Sequence, residues 1–302
     1  MAEEHVLLVG HGTVEQLDEL PDFLLRIRHG RPVPDELLRE IRRRYEAIGG
    51  SPLLSISREL ARKLEAELQR PVHLGMRFSA PRLPEALEQA ARGGARALDV
   101  VALAPFSAHL YAAEAKRVVE EGRMPFELRC AGNWGSDPVL VDAFAAALAE
   151  TLADVDASRR TSAQVFFTAH SLPAAVVQKG DRYPSEVENA AQAVAHRAHL
   201  ANRWRVVYQS QGASSEPWLG PDLRESFAQA KQEGARDVVL CPIGFLSDHV
   251  EILYDLDIEA RQWADAAGLR MRRTRSLNAD EPLVHALAEL ARRCAKSSEL
   301  GV

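Results

Sequence analysis

Two doubly wound α/β domains, each built on a parallel sheet, are what this sequence predicts. Three observations carry that reading. Short apolar runs alternate with amphipathic segments of helical period along the whole chain. The runs are continuously apolar rather than alternating, as strands covered on both faces require. The chain also repeats itself: "HVLLVGHGT" near the start resembles "AQVFFTAHSLP" in the middle, and "GGARALDVVALAPF" resembles "EGARDVVLCPIGF". Offsets of about 140 to 160 residues mean duplication of a whole domain rather than a solenoid.

In the first half the expected strands are "VLLVG", "PVHLGMRF", "ALDVVALAPF" and "PFELRCAG". In the second half they are "VFFTAHS", "RVVYQSQ", "DVVLCPIGF" and "LRMRRTRSL". Helical patterns "LPEALEQAARGGAR" and "LRESFAQAKQEGAR" precede the third strand of each set, and "SPLLSISRELARKLEAELQ" reads as a charged amphipathic helix. The polar stretch "LADVDASRRTSAQ" is the expected join, giving domains 1–155 and 156–302. Ligands of such sheets bind at the carboxyl ends of strands. His11, Pro105, His170, Gln209 and Pro242 stand there, so they are expected to converge on a cleft between the domains.

The chain has 302 residues, 46% hydrophobic and 26% charged, with a net charge of −6. That composition suits a globular protein of about two domains. Basic residues are scattered rather than clustered, which argues against a nucleic-acid partner. No segment approaches the roughly 20 apolar residues of a membrane span. "MAEEHVLLVGHGT" is neither a signal nor a transit peptide. Cys130, Cys241 and Cys294 lie far apart, so neither a zinc spacing nor a disulfide framework is expected, and a cytoplasmic location is. There is no GxGxxG and no GxxxxGK[ST], which argues against a nucleotide site.

Two stretches carry candidate chemistry. His170, in "FFTAHSLP", ends a strand at the binding edge; a neutral imidazole there can take a proton or ligate a metal ion. The bland alternative is a hydrogen-bonded strand-end histidine. "SDHVEILYDLDIEA" gathers Asp248, Glu251, Asp255, Asp257 and Glu259 beside His249, with no lysine or arginine inside the stretch. As one helix from Asp248, it stacks Glu251, Asp255 and Glu259 along one face, about 6 Å apart. A solvated face is the alternative; a path for a hydrated divalent cation such as Fe²⁺ is the functional reading. Trp218, in "VYQSQGASSEPWLGPDL", is either a plane for a flat ligand or a loop anchor. Arg26, Arg28, Arg31, Arg39, Arg42, Arg43 and Arg44 are either solvated or clamps for carboxylates.

Together "AHSLP", "QSQGASSEPWLGPD", "PIGFLSDHVEILYDLDIE" and "RIRHGRPVPDELLREIRRRYEAIGGSPL" resemble the signature stretches of the ferrochelatases, closest to the compact soluble form of Gram-positive bacteria. The resemblance runs in order over nearly the whole chain. It implies two Rossmann-like domains without a nucleotide site, and insertion of Fe²⁺ into a porphyrin in haem biosynthesis. It implies catalysis and metal binding by His170 and Glu251, with Asp255 and Glu259 on an outer metal line. Arg28, Arg44, Tyr45 and Ser51 match positions that hold porphyrin propionates. His11 stands where those enzymes carry a tyrosine that ligates the product's iron, and Trp218 is expected against the macrocycle. "LAPFSAHLYAAEAKR" departs from the family pattern, so His109 and Tyr111 receive no role.

Fe²⁺ is then a substrate and no cofactor is required. Cys294 alone near the C-terminus cannot build a four-cysteine iron–sulfur cluster. Coproporphyrin III is favoured over protoporphyrin IX, and transient contact with neighbouring haem-pathway enzymes is expected. The alternatives are another class II chelatase, inserting iron or cobalt into sirohydrochlorin, and a non-catalytic haem carrier on the same fold. In the insertion reading, neutral His170 accepts a proton or holds the metal, and Glu251 carries charge away.

Overall fold

The computed structural model describes residues 3–201, 203–212 and 216–299; residues 213–215 of the "GASSEPW" loop therefore lie outside the described residues. Each of the eight expected strand segments forms a strand. In the first half these are β1 (Glu4–Gly10), β2 (Val72–Met76), β3 (Ala97–Ala102) and β4 (Glu127–Cys130). They pair in parallel in the order β2-β1-β3-β4. Their connections carry α1 (Leu20–Ile27), α2 (Asp35–Ala47), α3 (Leu53–Leu68), α4 (Leu83–Arg92) and α5 (Ala108–Gly122).

The second half repeats the plan. After α6 (Pro138–Ala153) and α7 (Ala157–Arg160) come β5 (Gln164–His170), α8 (Ala174–Gln178), α9 (Tyr183–Arg197), β6 (Trp204–Gln209), α10 (Leu223–Gln232) and β7 (Asp237–Cys241). Then follow α11 (Val250–Leu253), a π turn (Asp255–Ala260), α12 (Arg261–Ala266) and β8 (Arg270–Arg273). This sheet is also parallel, in the order β6-β5-β7-β8. By strand order β5 is the counterpart of β1, and β7 that of β3.

The duplication extends to details that sequence likeness only hints at. The helices α4 and α10 both open on a capping box: Glu85 reaches back to the Arg82 N–H, and Glu225 to the Asp222 N–H. Both end the same way. Gly94 and Gly234 sit at φ +81° and +83°. The N–H of the following Ala95 or Ala235 reaches back to the carbonyl of Ala90 or Ala230, a Schellman closure that needs glycine at the left-handed position. The third strand of each half also buries an aspartate among arginines. Asp99 meets Arg70 and Arg129, and Asp237 meets Arg159, Arg270 and Arg272.

The division into units departs from the expected boundary. One unit is Met1–Trp134 with Asn278–Val302, the other Gly135–Leu277. Two helices explain the shift. The apolar α6 packs on α9 and β7 of the second sheet, so the join precedes it. The last helix, α13 (Glu281–Glu299), packs on α3, β3 and β4. It buries Leu283, Ala286, Leu287 and Ala291 completely. Helical period reports that such a face exists but not which sheet covers it.

Candidate active site

His170 is the last residue of β5, and the structure brings Glu251 to it. A tight turn does this. The Gly244 N–H donates to the Thr168 carbonyl at 3.0 Å. A Cβ on Gly244 would lie 2.7 Å from Ala169 Cα, so only glycine lets the "PIGF" backbone press against β5. The chain then turns at His249, the N-cap of α11. Glu251 Oε1 stands 3.5 Å from His170 Nε2, and Glu251 Oε2 stands 3.7 Å from His249 Nε2. One carboxylate thus offers an oxygen to each of two imidazoles.

Neighbouring backbone fixes both rings. His170 Nδ1 lies 2.5 Å from the Ser171 carbonyl, and His249 Nδ1 lies 2.9 Å from the Ser247 carbonyl. Each Nδ1–H is donated there, which turns each Nε2 toward Glu251. The buried Tyr183 donates its hydroxyl to the His170 carbonyl at 3.0 Å. Gln209, at the end of β6, donates to the Glu251 carbonyl at 2.8 Å. The pair is therefore held by backbone on one side and by buried polar side chains on the other.

Charge settles in this arrangement. Burial opposes protonation of His170, but the Glu251 charge and hydrogen bond, with the Ser171 carbonyl, outweigh it and raise His170 to about 9. Burial likewise opposes ionisation of Glu251, and the two imidazoles hold its carboxyl well below the usual range. At neutral pH the pair is imidazolium and carboxylate. The neutral His170 expected from sequence is not its resting form, because strand-end position says nothing of the carboxylate that folding sets beside it.

The acidic stretch is also not one helix. After the single turn of α11 the backbone widens: the Glu259 N–H donates to the Tyr254 carbonyl, five residues back, at 2.9 Å. Its carboxylates meet separate environments. Arg273 of β8 takes Asp257 through both oxygens, at 2.8 and 2.7 Å, and approaches Asp248 at 3.5 Å. Asp255 is buried and accepts from Ser210 Oγ at 2.5 Å. The carboxylate of half-buried Glu259 has no partner among the described residues. Among those residues no group of three or more His, Cys, Asp or Glu is arranged to hold a metal ion. Glu251, Asp255 and Glu259 therefore do not stack along one helix face, and of the three only Glu251 stands beside His170. Trp218 is half-buried in a segment bridged to Pro173, against Gly212, which is the loop-anchor reading.

The first unit holds the other candidates. His11 is exposed just past the end of β1, beside Phe78 at 4.8 Å between ring centres. Its Nδ1 lies 3.5 Å from the hydroxyl of Tyr111, so Tyr111 acquires a neighbour that sequence could not assign. His109 instead faces Asn133, 3.1 Å away. Tyr45 is buried, with its hydroxyl 3.0 Å from Thr13 Oγ1. It fastens α2 to the segment after β1, because its position in the helical period points inward. Arg44 Nε meets Glu40 at 2.9 Å. Arg28 Nε donates to the Pro32 carbonyl at 3.1 Å. Ser51 Oγ accepts the Leu53 N–H at 3.4 Å, at the start of α3.

Sequence reasoning passed over Tyr183, Arg273 and Glu40 as members of a site; it placed Gln209 at a strand end and His249 in the acidic stretch without giving either a role. The signals were the strand-end position of Gln209 and the place of His249 two residues before Glu251. Among the described residues no helix is long and apolar enough to cross a membrane.

The fold resembles SirB from Bacillus subtilis, a structure with Fe³⁺, at a TM-score of 0.63 and 14% identity, covering 99% of this chain and 98% of that one. The multi-domain protein DR2241 from Deinococcus radiodurans, which shares structural similarity with chelatases, matches at a TM-score of 0.58 and 16% identity, over 95% of this chain and 54% of that one. Those likenesses concern the fold alone. Sequence relatives reach further. The chain is 35% identical to a ferrochelatase of Herpetosiphon aurantiacus, covering 95% of this chain and 97% of that one. It is 34% identical to a coproporphyrin III ferrochelatase of Anoxybacillus flavithermus, over 94% and 93%. The profile of the ferrochelatase family matches residues 3–295. A duplicated chelatase fold, relatives of this similarity and a profile spanning the chain lead to one conclusion: this protein belongs to the ferrochelatase family and is an enzyme that inserts a metal ion into a porphyrin.

Proposed function

We propose that the enzyme inserts Fe²⁺ into coproporphyrin III in preference to protoporphyrin IX, with His170 and Glu251 as the catalytic pair. The observation that carries the chemistry is one carboxylate flanked by two imidazoles whose orientations are fixed. Insertion exchanges two pyrrole N–H protons for one divalent ion. Glu251 is the unprotonated member of the pair, so it takes the first proton. It is a weak base, but a metal ion arriving at the macrocycle acidifies the N–H that remains. His249 Nε2 lies on the far oxygen of Glu251 and passes the proton on. The imidazolium of His170 must lose its own proton before Nε2 can hold the metal; the charge of an approaching Fe²⁺ favours that loss. In the same reading Asp255 and Glu259 serve the metal's approach.

The substrate choice rests on cations. Arg28 and Arg31 satisfy their Nε donors with backbone carbonyls and have no carboxylate partner among the described residues. Guanidinium charge left over in this way suits four propionates better than two. Several relatives at 32 to 34% identity are named coproporphyrin III ferrochelatases, which supports the same choice. The test compares kcat/KM for the two porphyrins, and for sirohydrochlorin, with one Fe²⁺ supply. A preference for protoporphyrin IX of about tenfold or more, about 1.4 kcal/mol in transition-state binding, overturns it.

A further inference from the structure

Seven arginines stand on or beside α1 and α2, and several spend their donors on backbone. Arg26 donates to the Phe78 carbonyl, Arg28 to Pro32, Arg31 to Arg28 and Arg42 to Leu17. Arg43 and Arg44 differ: both converge on the carboxylate of Glu40. Arg43 grips it through two nitrogens at 3.0 and 2.9 Å, and Arg44 shares its Oε1 at 2.9 Å. The helical spacing i, i+3 and i+4 makes this possible. Adjacent Tyr45 anchors this part of α2 to Thr13, three residues past the end of β1. Arg44 therefore belongs to the ligand-binding edge of the first sheet. Its side chain is only 25% exposed, against 59% for Arg43, so it is the one of the two already drawn in from solvent.

We propose that Glu40 is a specificity-determining residue: its carboxylate occupies the guanidinium of Arg44 as a stand-in for a substrate propionate, and a propionate must displace it to use that arginine. The inference rests on the reading that Arg44 meets a propionate present in coproporphyrin III and absent from protoporphyrin IX. Two features of the pair favour exchange over permanent structure. Glu40 keeps 38% of its side-chain surface, so it can swing into water when displaced. A half-exposed ion pair is also weakly held. The hydrogen bonds from Arg43 and then Arg44 lower the Glu40 carboxyl to about 2. It therefore remains a charged competitor at every pH at which the enzyme works.

The experiment measures binding of metal-free coproporphyrin III and protoporphyrin IX by porphyrin fluorescence. It compares the wild type with Glu40→Gln, Glu40→Asp and Arg44→Ala. Glutamine preserves helix propensity and length, and circular dichroism confirms that each variant is folded. Removing a competitor of surface ion-pair strength should tighten coproporphyrin III by about threefold, with a smaller change for protoporphyrin IX. Glu40→Asp keeps the helix charge but withdraws the carboxylate by one methylene, so it should behave like Glu40→Gln. Equal changes for both porphyrins, or aspartate behaving as wild type, reduces the effect to general helix charge and overturns the proposal. If Arg44→Ala weakens coproporphyrin III while Glu40→Gln does nothing, Glu40 alone loses its role. If Arg44→Ala changes neither porphyrin, the placement of Arg44 at a propionate fails and the proposal falls with it.

Discussion

Replacing Glu251 by glutamine keeps the shape of the side chain and deletes its charge. Its Oε1 stands 3.5 Å from Nε2 of His170, and unit charges at that spacing attract by about 5 kcal/mol at an effective dielectric of about 20. The two side chains remain 36% and 31% exposed, so screening by solvent cuts this to roughly 2 kcal/mol. At about 1.4 kcal/mol per pH unit, that lowers the imidazole midpoint by about one and a half pH units. Burial also disfavours the charged ring, so the His170 midpoint should fall from about 9 toward the ordinary 6.5. The assay is an NMR titration of the imidazole Cε1–H signal, assigned by its absence in His170→Ala. A midpoint that stays above about 8 in Glu251→Gln would mean that something other than Glu251 charges the ring. Stability should follow with a definite sign. The part owed to His170 is complete below 6.5 and is lost as pH rises through about 9. The part owed to Glu251 is present above 4.5 and is lost as pH falls through its lowered value. Wild type and variant should therefore differ most between those limits and converge outside them.

Three further outcomes are expected. His170→Ala should abolish metal insertion in a folded protein; retention of more than about a tenth of wild-type turnover, a barrier change under about 1.4 kcal/mol, would remove it from the catalytic pair. Gly244→Ala sets a methyl 2.7 Å from Ala169 Cα; urea unfolding should show a loss of about 1 to 3 kcal/mol, with insertion impaired because the same turn delivers Glu251. Arg273→Met strips the counter-charge from Asp257 and Asp248 and should destabilise the protein by about 3 kcal/mol, as removal of one partner from a half-buried pair does; an unchanged denaturation midpoint would show that the carboxylates find water instead.

Much of the molecule is legible in the sequence because it is local. The inner strands announce themselves as continuous apolar runs, while the edge strands β4 (ELRC) and β8 (RMRR) carry charge, and the His170 and Glu251 motifs mark one site. What escapes is what distant segments bring together. The stretch 247–260 reads as unpaired since its cation, Arg273, arrives from β8. The π turn escapes because a period of 3.6 fits the same letters. Tyr45 carries a polar group that composition places at a surface, yet its hydroxyl is satisfied by Thr13 inside the core. The charge on His170 depends on the carboxylate of Glu251, far along the chain, and the two meet only when the turn after β7 is packed against β5.

The return of α13 to the first sheet has a consequence for the order in which the protein is made. The second unit is one uninterrupted stretch, Gly135–Leu277, whereas the first needs residues from both ends of the chain. On the ribosome, chains generally fold from the N-terminus as domains emerge, at about 5 to 20 residues per second. Here the first sheet waits: the surfaces of α3, β3 and β4 that α13 covers stay bare until residues 281–299 have been made and can dock. The unit that carries the His170–Glu251 pair can close on its own contiguous residues, whereas the first unit closes only when α13 docks. A released chain truncated before Glu281 should thus expose apolar surface that a chaperone can recognise, while residues 135–277 resist protease.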